Sequence, residues 1–385
     1  MNVFKPLATL GAASVLGFAV QSAQAGPTIE FGDEGFVQIN YALQLWSQQR
    51  SYTNGNHDGS SFDTFLRRNR ITLFGQKNDL VGFYAQLEAG GDSRGGNDER
   101  SVYYRDAYLT LDYSDETRFI IGRFKNTFSR ENLEACLEPL TLDRGDASYT
   151  PFGGTRDTGA VIWGNLADAQ LQYRLMIADG REGEEVPEKQ ARITTRLHWS
   201  VLDPEYDYGY RGTYLGTRKV FTLGASYDYQ GSAAYADYTN LSGQEDYKAW
   251  TVDAFFEYPF ASGTYTLSAA YLNYNLGNAI NNNPDPKLPV NTELESFYVK
   301  AGYLFPNQVG AGRLQIFARH DGSEYNLAGG VLDRRINAVG ANYYLDGQSL
   351  KLTAEYQHTD YANPDASNPA LQDNHQLTLG LQFIL

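Results

Sequence analysis

The sequence predicts an all-β chain, a 16-stranded antiparallel transmembrane β-barrel whose third loop folds inward. Three observations predict it. Period-two alternation of apolar and polar residues recurs in sixteen stretches between Phe36 and Leu385. The connections between these stretches are alternately short and long. A short apolar leader ending in small residues precedes them all.

In the leader, Lys5 supplies a positive charge, residues 7–20 form an apolar run, and Ala23-Gln24-Ala25 offers a small-x-small cleavage site. Residues 1–25 therefore read as a secretory signal peptide, which leaves 26–385 as the barrel domain. No later stretch is apolar over the ~18 residues a membrane helix needs. The mean hydropathy of −0.46 agrees with a transmembrane barrel, half of whose strand residues face a polar lumen. The chain has 29 Tyr, 20 Phe and 4 Trp, and Tyr and Trp suit the two membrane–water interfaces. Its single cysteine, Cys136, allows no disulfide framework. A net charge of −15 excludes the basic footprint of a nucleic-acid binder.

The first strand is expected at 36–47, with Val37, Ile39, Tyr41, Leu43 and Leu45 on one face and Gln38, Asn40 and Gln44 on the other. The second, 65–75, sets Ile71 and Leu73 against Arg68, Arg70 and Thr72. The third, 80–90, sets Val81, Phe83, Ala85, Leu87 and Ala89 against Tyr84, Gln86 and Glu88. The fourth, 102–113, sets Ala107, Leu109, Leu111 and Tyr113 against Asp106, Tyr108, Thr110 and Asp112, and the fifth is 118–125. Residues 126–157 follow without strand or helix period, and a loop of that length inside a compact domain is usually functional. Strands resume at 158–164, 169–178, 190–200, 220–229, 248–259, 264–275, 294–304, 313–321, 336–345, 350–358 and 375–385. In the last of these, Leu377, Leu379, Leu381, Phe383 and Leu385 share one face up to the C-terminus, as a lipid-facing stripe would.

Tight turns are expected at 76–79, 114–117, 165–168, 260–263 and 346–349, with longer Gly/Asn/Asp-rich segments between them. Up-and-down outer-membrane barrels have this asymmetry, with short periplasmic turns and long extracellular loops. Residues 201–219 break the rule, and their expected place is projecting into the periplasm or extending the flanking strands. Alternation by itself does not separate such a barrel from a soluble sandwich. The leader, the even strand count and the aromatic load favour the membrane. Sixteen strands enclose an interior too wide for side chains to fill, hence an aqueous channel.

Several motifs within this pattern resemble a known family. They are Arg67-Arg68-Asn69-Arg70-Ile71 with Phe74-Gly75, Arg105-Asp106-Ala107-Tyr108-Leu109, Gly122-Arg123-Phe124-Lys125-Asn126-Thr127-Phe128, and Arg218-Lys219-Val220-Phe221-Thr222-Leu223-Gly224. In order and spacing they are similar to those of the phosphate-selective porins O and P. The resemblance implies a Gram-negative outer-membrane porin, a homotrimer whose third loop (126–157 here) narrows the pore. It implies passive diffusion of small hydrophilic solutes, anions such as phosphate or other oxyanions, drawn by lumen Arg and Lys. It also implies Lys125 as a pore residue, although strict alternation aims Lys125 outward with Phe119 and Ile121.

Rings of charged side chains select ions. The pore-lining, anion-binding candidates are Arg68, Arg70, Lys125, Arg130, Arg144, Arg156, Arg192, Arg196 and Arg319. Period two puts Arg192, Arg196 and His198 opposite Ile193, Leu197 and Trp199, and an Arg facing lipid at the midplane would cost about 2–4 kcal/mol. A guanidinium offers its planar fork equally to an oxyanion and to a protein carboxylate. A second reading is thus that these Arg residues pair with acids such as Glu131 or Asp157 and pin the loop. The loop acids Glu131, Glu134, Glu138 and Asp157 also leave open a general or cation-tolerant porin. A catalytic barrel or a surface-binding barrel are the remaining alternatives. The sequence carries no Gly-x-Ser-x-Gly elbow and no His-Glu-x-x-His, and its five His are scattered. No enzyme activity, cofactor or metal is expected. The expected partners are small anionic solutes, the outer-membrane lipid and two further copies of the chain.

Overall fold

The computed structural model describes residues 26–51, 59–91, 101–145, 155–181, 186–279, 293–327, 330–362 and 372–385. The expected signal peptide and part of the third loop, 146–154, lie outside them. The strands are β1 (Thr28–Phe31), β2 (Gly35–Ser51), β3 (Ser60–Gln76), β4 (Val81–Glu88), β5 (Tyr103–Ser114), β6 (Thr117–Lys125), β7 (Arg156–Leu166), β8 (Leu171–Ala178) and β9 (Arg192–Ser200). After them come β10 (Val220–Ala234), β11 (Glu245–Phe260), β12 (Gly263–Asn275), β13 (Glu293–Val309), β14 (Gly312–Leu327), β15 (Gly330–Asp346), β16 (Leu350–Tyr361) and β17 (Asn374–Ile384). Each strand from β2 to β17 pairs antiparallel with its chain neighbours, and β17 pairs back onto β2, from Gln376↔Arg50 to Ile384↔Ala42. The result is a closed 16-stranded barrel.

The two faces of the wall settle the choice that alternation left open. On β9, Arg192, Thr194, Arg196, His198 and Ser200 are buried while Ile193, Leu197 and Trp199 are exposed. On β17, Leu377, Leu379, Leu381 and Phe383 are exposed while Thr378 and Gln382 are buried. A soluble barrel would bury the apolar row. Here the apolar row faces out around the ring, as only a lipid surround rewards. Aromatic rings run along the outside at the short-turn end, with Tyr258–Phe260 4.6 Å, Phe260–Tyr265 5.7 Å, Tyr265–Tyr303 5.0 Å and Tyr303–Phe305 5.0 Å between centroids. This is the interfacial girdle such a barrel needs.

All sixteen expected strands are present as β2–β17, several of them longer than alternation indicates. β3 begins at Ser60 and β10 continues to Ala234, because the hydrogen-bonded ladder outlasts the lipid-facing stripe. β1 is additional to the sequence expectation. Its four residues carry too little pattern, and it pairs with β2 from Thr28↔Gln38 to Phe31↔Gly35, beyond the end of β17. At the β15–β16 turn Gly347 takes φ +49°, in the left-handed region where a side chain would be strained.

Two β-bulges redirect side chains. Gln44 pairs with Arg68 and Leu45 with Leu66, so Arg67 is the extra residue of β3. Gln86 pairs with Asp106 and Leu87 with Tyr104, so Arg105 is the extra residue of β5. A bulge lets consecutive residues share one face. Arg67 thereby reaches the lumen beside Arg68, and Arg105 beside Asp106.

Candidate functional site

The candidate site is the lumen between β3, β5 and β6 and the segment that follows β6. Residues 126–145 leave the wall after Lys125. Ser129 caps a single helical turn, Arg130–Leu133, by accepting from the Asn132 amide at 3.1 Å. The segment is then tied to strands across the ring. Lys300 of β13 pairs with Glu131. Asn342 of β15 donates to the Leu140 carbonyl at 2.8 Å, and Gln382 of β17 to that of Leu137 at 2.9 Å. Glu355 of β16 accepts from the Leu142 amide at 3.2 Å. Apolar contacts hold the same segment, with Leu137 against Ala42 and Ile384, and Leu142 against Trp46 and Phe65.

The predicted Arg residues all lie on the inner face or in this segment, and most are ion-paired. Arg68 meets Asp143 at 2.8 Å, and Arg67 meets the same carboxylate at 2.7 Å. Burial would raise the Asp143 carboxyl, but the Arg68 and Arg67 guanidiniums outweigh it and hold the group well below the usual carboxylate range. Arg70 donates to Glu88 at 2.8 Å, and Arg105 also pairs with Glu88. Arg156 makes a two-pronged contact with Asp106 at 2.9 and 3.0 Å. Arg192 reaches Asp228 at 3.0 Å and Asp157 at 3.4 Å. Arg196 forks onto Asp253 at 2.7 and 2.8 Å, and Arg319 lies 3.0 Å from Asp321. Arg130 forks onto Glu205 at 2.7 and 2.8 Å while packed 4.0 Å over the Phe255 ring. Of the loop acids, Glu131 takes Lys300 and Glu138 takes Arg211 at 3.0 Å. Burial pushes the Glu134 carboxyl up.

Lys125 differs from these. Its Nζ donates to the backbone carbonyls of Leu133 at 3.1 Å and Glu134 at 2.7 Å. Among the described residues no carboxylate pairs with it. It ends β6, and its long stem turns from the wall onto the loop. Arg144 donates to the Cys136 thiol. Arg144, Arg70, Lys125 and Arg105 all act electrostatically on Cys136, and Arg156 and Arg144 act on Lys125. Lys125 thus stands near three guanidiniums, Arg70, Arg105 and Arg156, that are held by two acids, Glu88 and Asp106.

The ends of 201–219 extend the flanking strands as expected, the Val201 amide donating to the Phe221 carbonyl at 2.7 Å and the Asp203 amide to the Lys219 carbonyl at 2.9 Å, but the residues between them turn inward. They fold into the barrel beneath the third loop. Tyr208, Tyr210 and Tyr214 are buried. The Tyr208 hydroxyl donates to the Lys125 carbonyl at 3.0 Å, and Arg174 of β8 donates to the Tyr208 carbonyl at 2.7 Å. The Tyr214 amide donates to Glu257 of β11 at 3.0 Å, and Arg313 of β14 to the Leu215 carbonyl at 3.2 Å. Tyr208 and Tyr210, two residues apart, are a sequence signal for this inward face, while Tyr206 is exposed. Arg174 and Lys300 are further lumen cations outside the predicted set, although the period-two rule places them on the inner faces of β8 and β13. Arg67 and Arg105 run against that rule and need the bulges.

One carboxyl of the segment titrates near neutrality. Burial, only partly offset by Arg211 and Arg218, pushes Asp207 up to about 6. Its folded value lies above the unfolded one, so the folded chain binds the proton more tightly. Stability is then expected to rise as pH falls from about 6 to the ordinary carboxylate value of ~3.9, and this contribution is flat below it. Thermal midpoints at pH 7 and pH 5 should differ more for the wild type than for Asp207→Asn. Equal differences would refute the assignment.

A closed 16-stranded wall, apolar outside and charged inside, with a loop drawn across its lumen, defines an outer-membrane porin. The sequence profile of the phosphate-selective porins O and P matches residues 37–385, and the chain belongs to that family. No protein of curated function matches it in sequence. Solved structures share the fold. Salmonella typhi OmpF in complex with daunomycin superposes with a TM-score of 0.61 at 16% identity, covering 90% of this chain and 98% of that one. An anion-selective porin from Comamonas acidovorans gives 0.57 at 10% identity, covering 91% and 100%. The trimer form of in-vitro folded OmpT, an outer membrane protein of Vibrio cholerae, gives 0.56 at 10% identity, covering 92% and 100%.

Proposed function

We propose that the chain is a non-enzymatic diffusion channel that favours small anions, oxyanions such as phosphate among them. The observation that carries this reading is Lys125, held by two backbone carbonyls and paired with no carboxylate among the described residues, beside three guanidiniums, Arg70, Arg105 and Arg156, that share the two acids Glu88 and Asp106. Arg68, Arg130, Arg192, Arg196 and Arg319 also contribute to the lumen field, but each is paired to a carboxylate that cancels most of its charge at a distance. Low-dielectric walls focus the uncancelled remainder. The overall charge of −15 opposes it little, because exposed charges are screened beyond about 8 Å at physiological salt. The family name and the Comamonas porin support the same preference. The test is the purified protein in a planar bilayer, with phosphate, sulfate, a dicarboxylate and chloride compared as carriers or blockers. Discrete conductance steps with anion block are expected. Turnover of lipid or ester without conductance would overturn the reading.

We further propose a homotrimer, in keeping with the trimer form of the Vibrio protein. A single-chain mass at all concentrations in mild detergent would refute it. In orientation, the ends of the chain and the short turns face the periplasm. A tag after Asn240, in the exposed turn between β10 and β11, should be reached by antibody on intact cells. A tag at Gly347 should be reached only after permeabilisation. The opposite labelling would invert the topology.

A further inference from the structure

The third loop does not cross the lumen alone. Its residues 133–138 and the periplasmic residues 210–212 pair through their backbones. The Ala135 amide donates to the Tyr210 carbonyl at 2.8 Å, the Tyr210 amide to the Leu133 carbonyl at 3.2 Å, and the Gly212 amide to the Glu138 carbonyl at 3.0 Å. Glu134 and Tyr210 form a parallel bridge. Side chains fasten the same seam. Arg130 forks onto Glu205, donates to the Arg211 carbonyl at 3.1 Å and stacks 4.7 Å over the Tyr210 ring, while Arg211 meets Glu138 at 3.0 Å. Glu205 also receives the Tyr214 hydroxyl and lies 3.3 Å from His198 Nε2 on β9.

The two segments lean on largely different parts of the wall and share β6 and β14. The loop is tied to β3 and to β13–β17. The periplasmic segment is tied to β6, β7, β8, β11 and β14. Together they form one partition across the barrel, joined along the Glu134–Tyr210 seam.

We propose that residues 201–219 are a second pore element, which holds the third loop in place through Glu205 and Tyr210 and so sets the cross-section and ion preference of the channel from the periplasmic side. Glu205 and Tyr210 are positioning residues. They act through Arg130 and the loop backbone and not by contact with the solute. The proposal rests on the channel reading above.

Two variants test it. Glu205→Gln keeps the size of the side chain and removes the charge that holds Arg130. In a folded barrel, verified by heat-modifiable migration, single-channel conductance is expected to rise at least about twofold, as a loosened partition widens the passage. The reversal potential is expected to move further toward anions, because a lumen carboxylate is gone. In the second variant Glu134→Cys and Tyr210→Cys are combined with Cys136→Ser. Bridged strands lie about 4.8 Å apart, within the span of a disulfide. The same molecules, measured oxidised and then reduced, should conduct less while the seam is locked, and purely structural damage would not reverse on reduction. The proposal is overturned if folded Glu205→Gln matches the wild type in both conductance and reversal potential, or if oxidised and reduced cysteine pairs conduct alike. A wild type that does not conduct would instead overturn the channel reading itself.

Discussion

Across a salt gradient in a planar bilayer, the wild-type channel is expected to reverse on the anion side, and Lys125→Gln is expected to move the reversal potential most of the way to zero. Lys125 is chosen because no carboxylate among the described residues neutralises it and its Nζ is held by two carbonyls. Gln still offers a donor to those carbonyls, so the loop keeps its anchor while the charge is lost. A full unit charge ~8 Å from a passing ion is worth roughly 2 kcal/mol at an effective dielectric of ~20, which is an upper bound for an ammonium enclosed beside Arg156 and Arg144. A change of ~1.4 kcal/mol in the barrier to permeation is about tenfold in rate. The anion-to-cation permeability ratio should therefore fall by about tenfold or somewhat less, given screening. Arg68→Ala should do less, although the sequence ranks the two alike. Arg68 and Asp143 form a pair, and Arg67 remains on the same carboxylate when Arg68 is removed. A cation-selective wild type would refute the assignment and point to Glu134 and Glu138 as the groups that face the ion path.

The contrast between Lys125 and Arg68 shows what alternation can and cannot convey. Period two is a property of one strand, and it places Arg68, Arg70, Arg192, Arg196 and Arg319 on the inner face because lipid forbids them the outer one. It carries no information about which carboxylate stands opposite. Arg130 finds Glu205, which is 75 residues away in the chain. Asp143 finds β3, also across the loop. Bulges defeat period two altogether, so it does not bring Arg67 and Arg105 into the lumen. The short turns are legible because a two-sided hairpin needs turn residues at a fixed place. Residues 201–219 are not, because length alone does not say which side of the wall a connection takes. Tyr208 and Tyr214 are buried against Trp163, Arg174 and Phe255, partners supplied by β7, β8 and β11.

The largest loss of stability is expected from Arg196→Ala. The guanidinium is fully enclosed, forks onto Asp253 at 2.7 and 2.8 Å, donates to Ser226 at 3.1 Å and lies 5.5 Å over the Tyr210 ring. Its removal leaves the Asp253 carboxylate buried without its cation. Breaking one side of a buried pair costs about 3–5 kcal/mol, whereas removing both sides for apolar groups of similar size is often neutral or better. Arg196→Met with Asp253→Leu should therefore recover most of what Arg196→Ala loses. Lys248→Ala supplies the baseline, since Lys248 and Asp246 are 3.9 Å apart and exposed. Such a pair contributes about 0–1 kcal/mol. Urea unfolding in detergent, followed by tryptophan emission, gives the three values. β9–β11 face a part of the lumen packed by Arg130, Tyr210 and Phe255. Water reaching Asp253 would hydrate the orphaned carboxylate, and the cost of Arg196→Ala would then fall to that of Lys248→Ala. That result would mean that the channel runs along these strands and not along β3–β6.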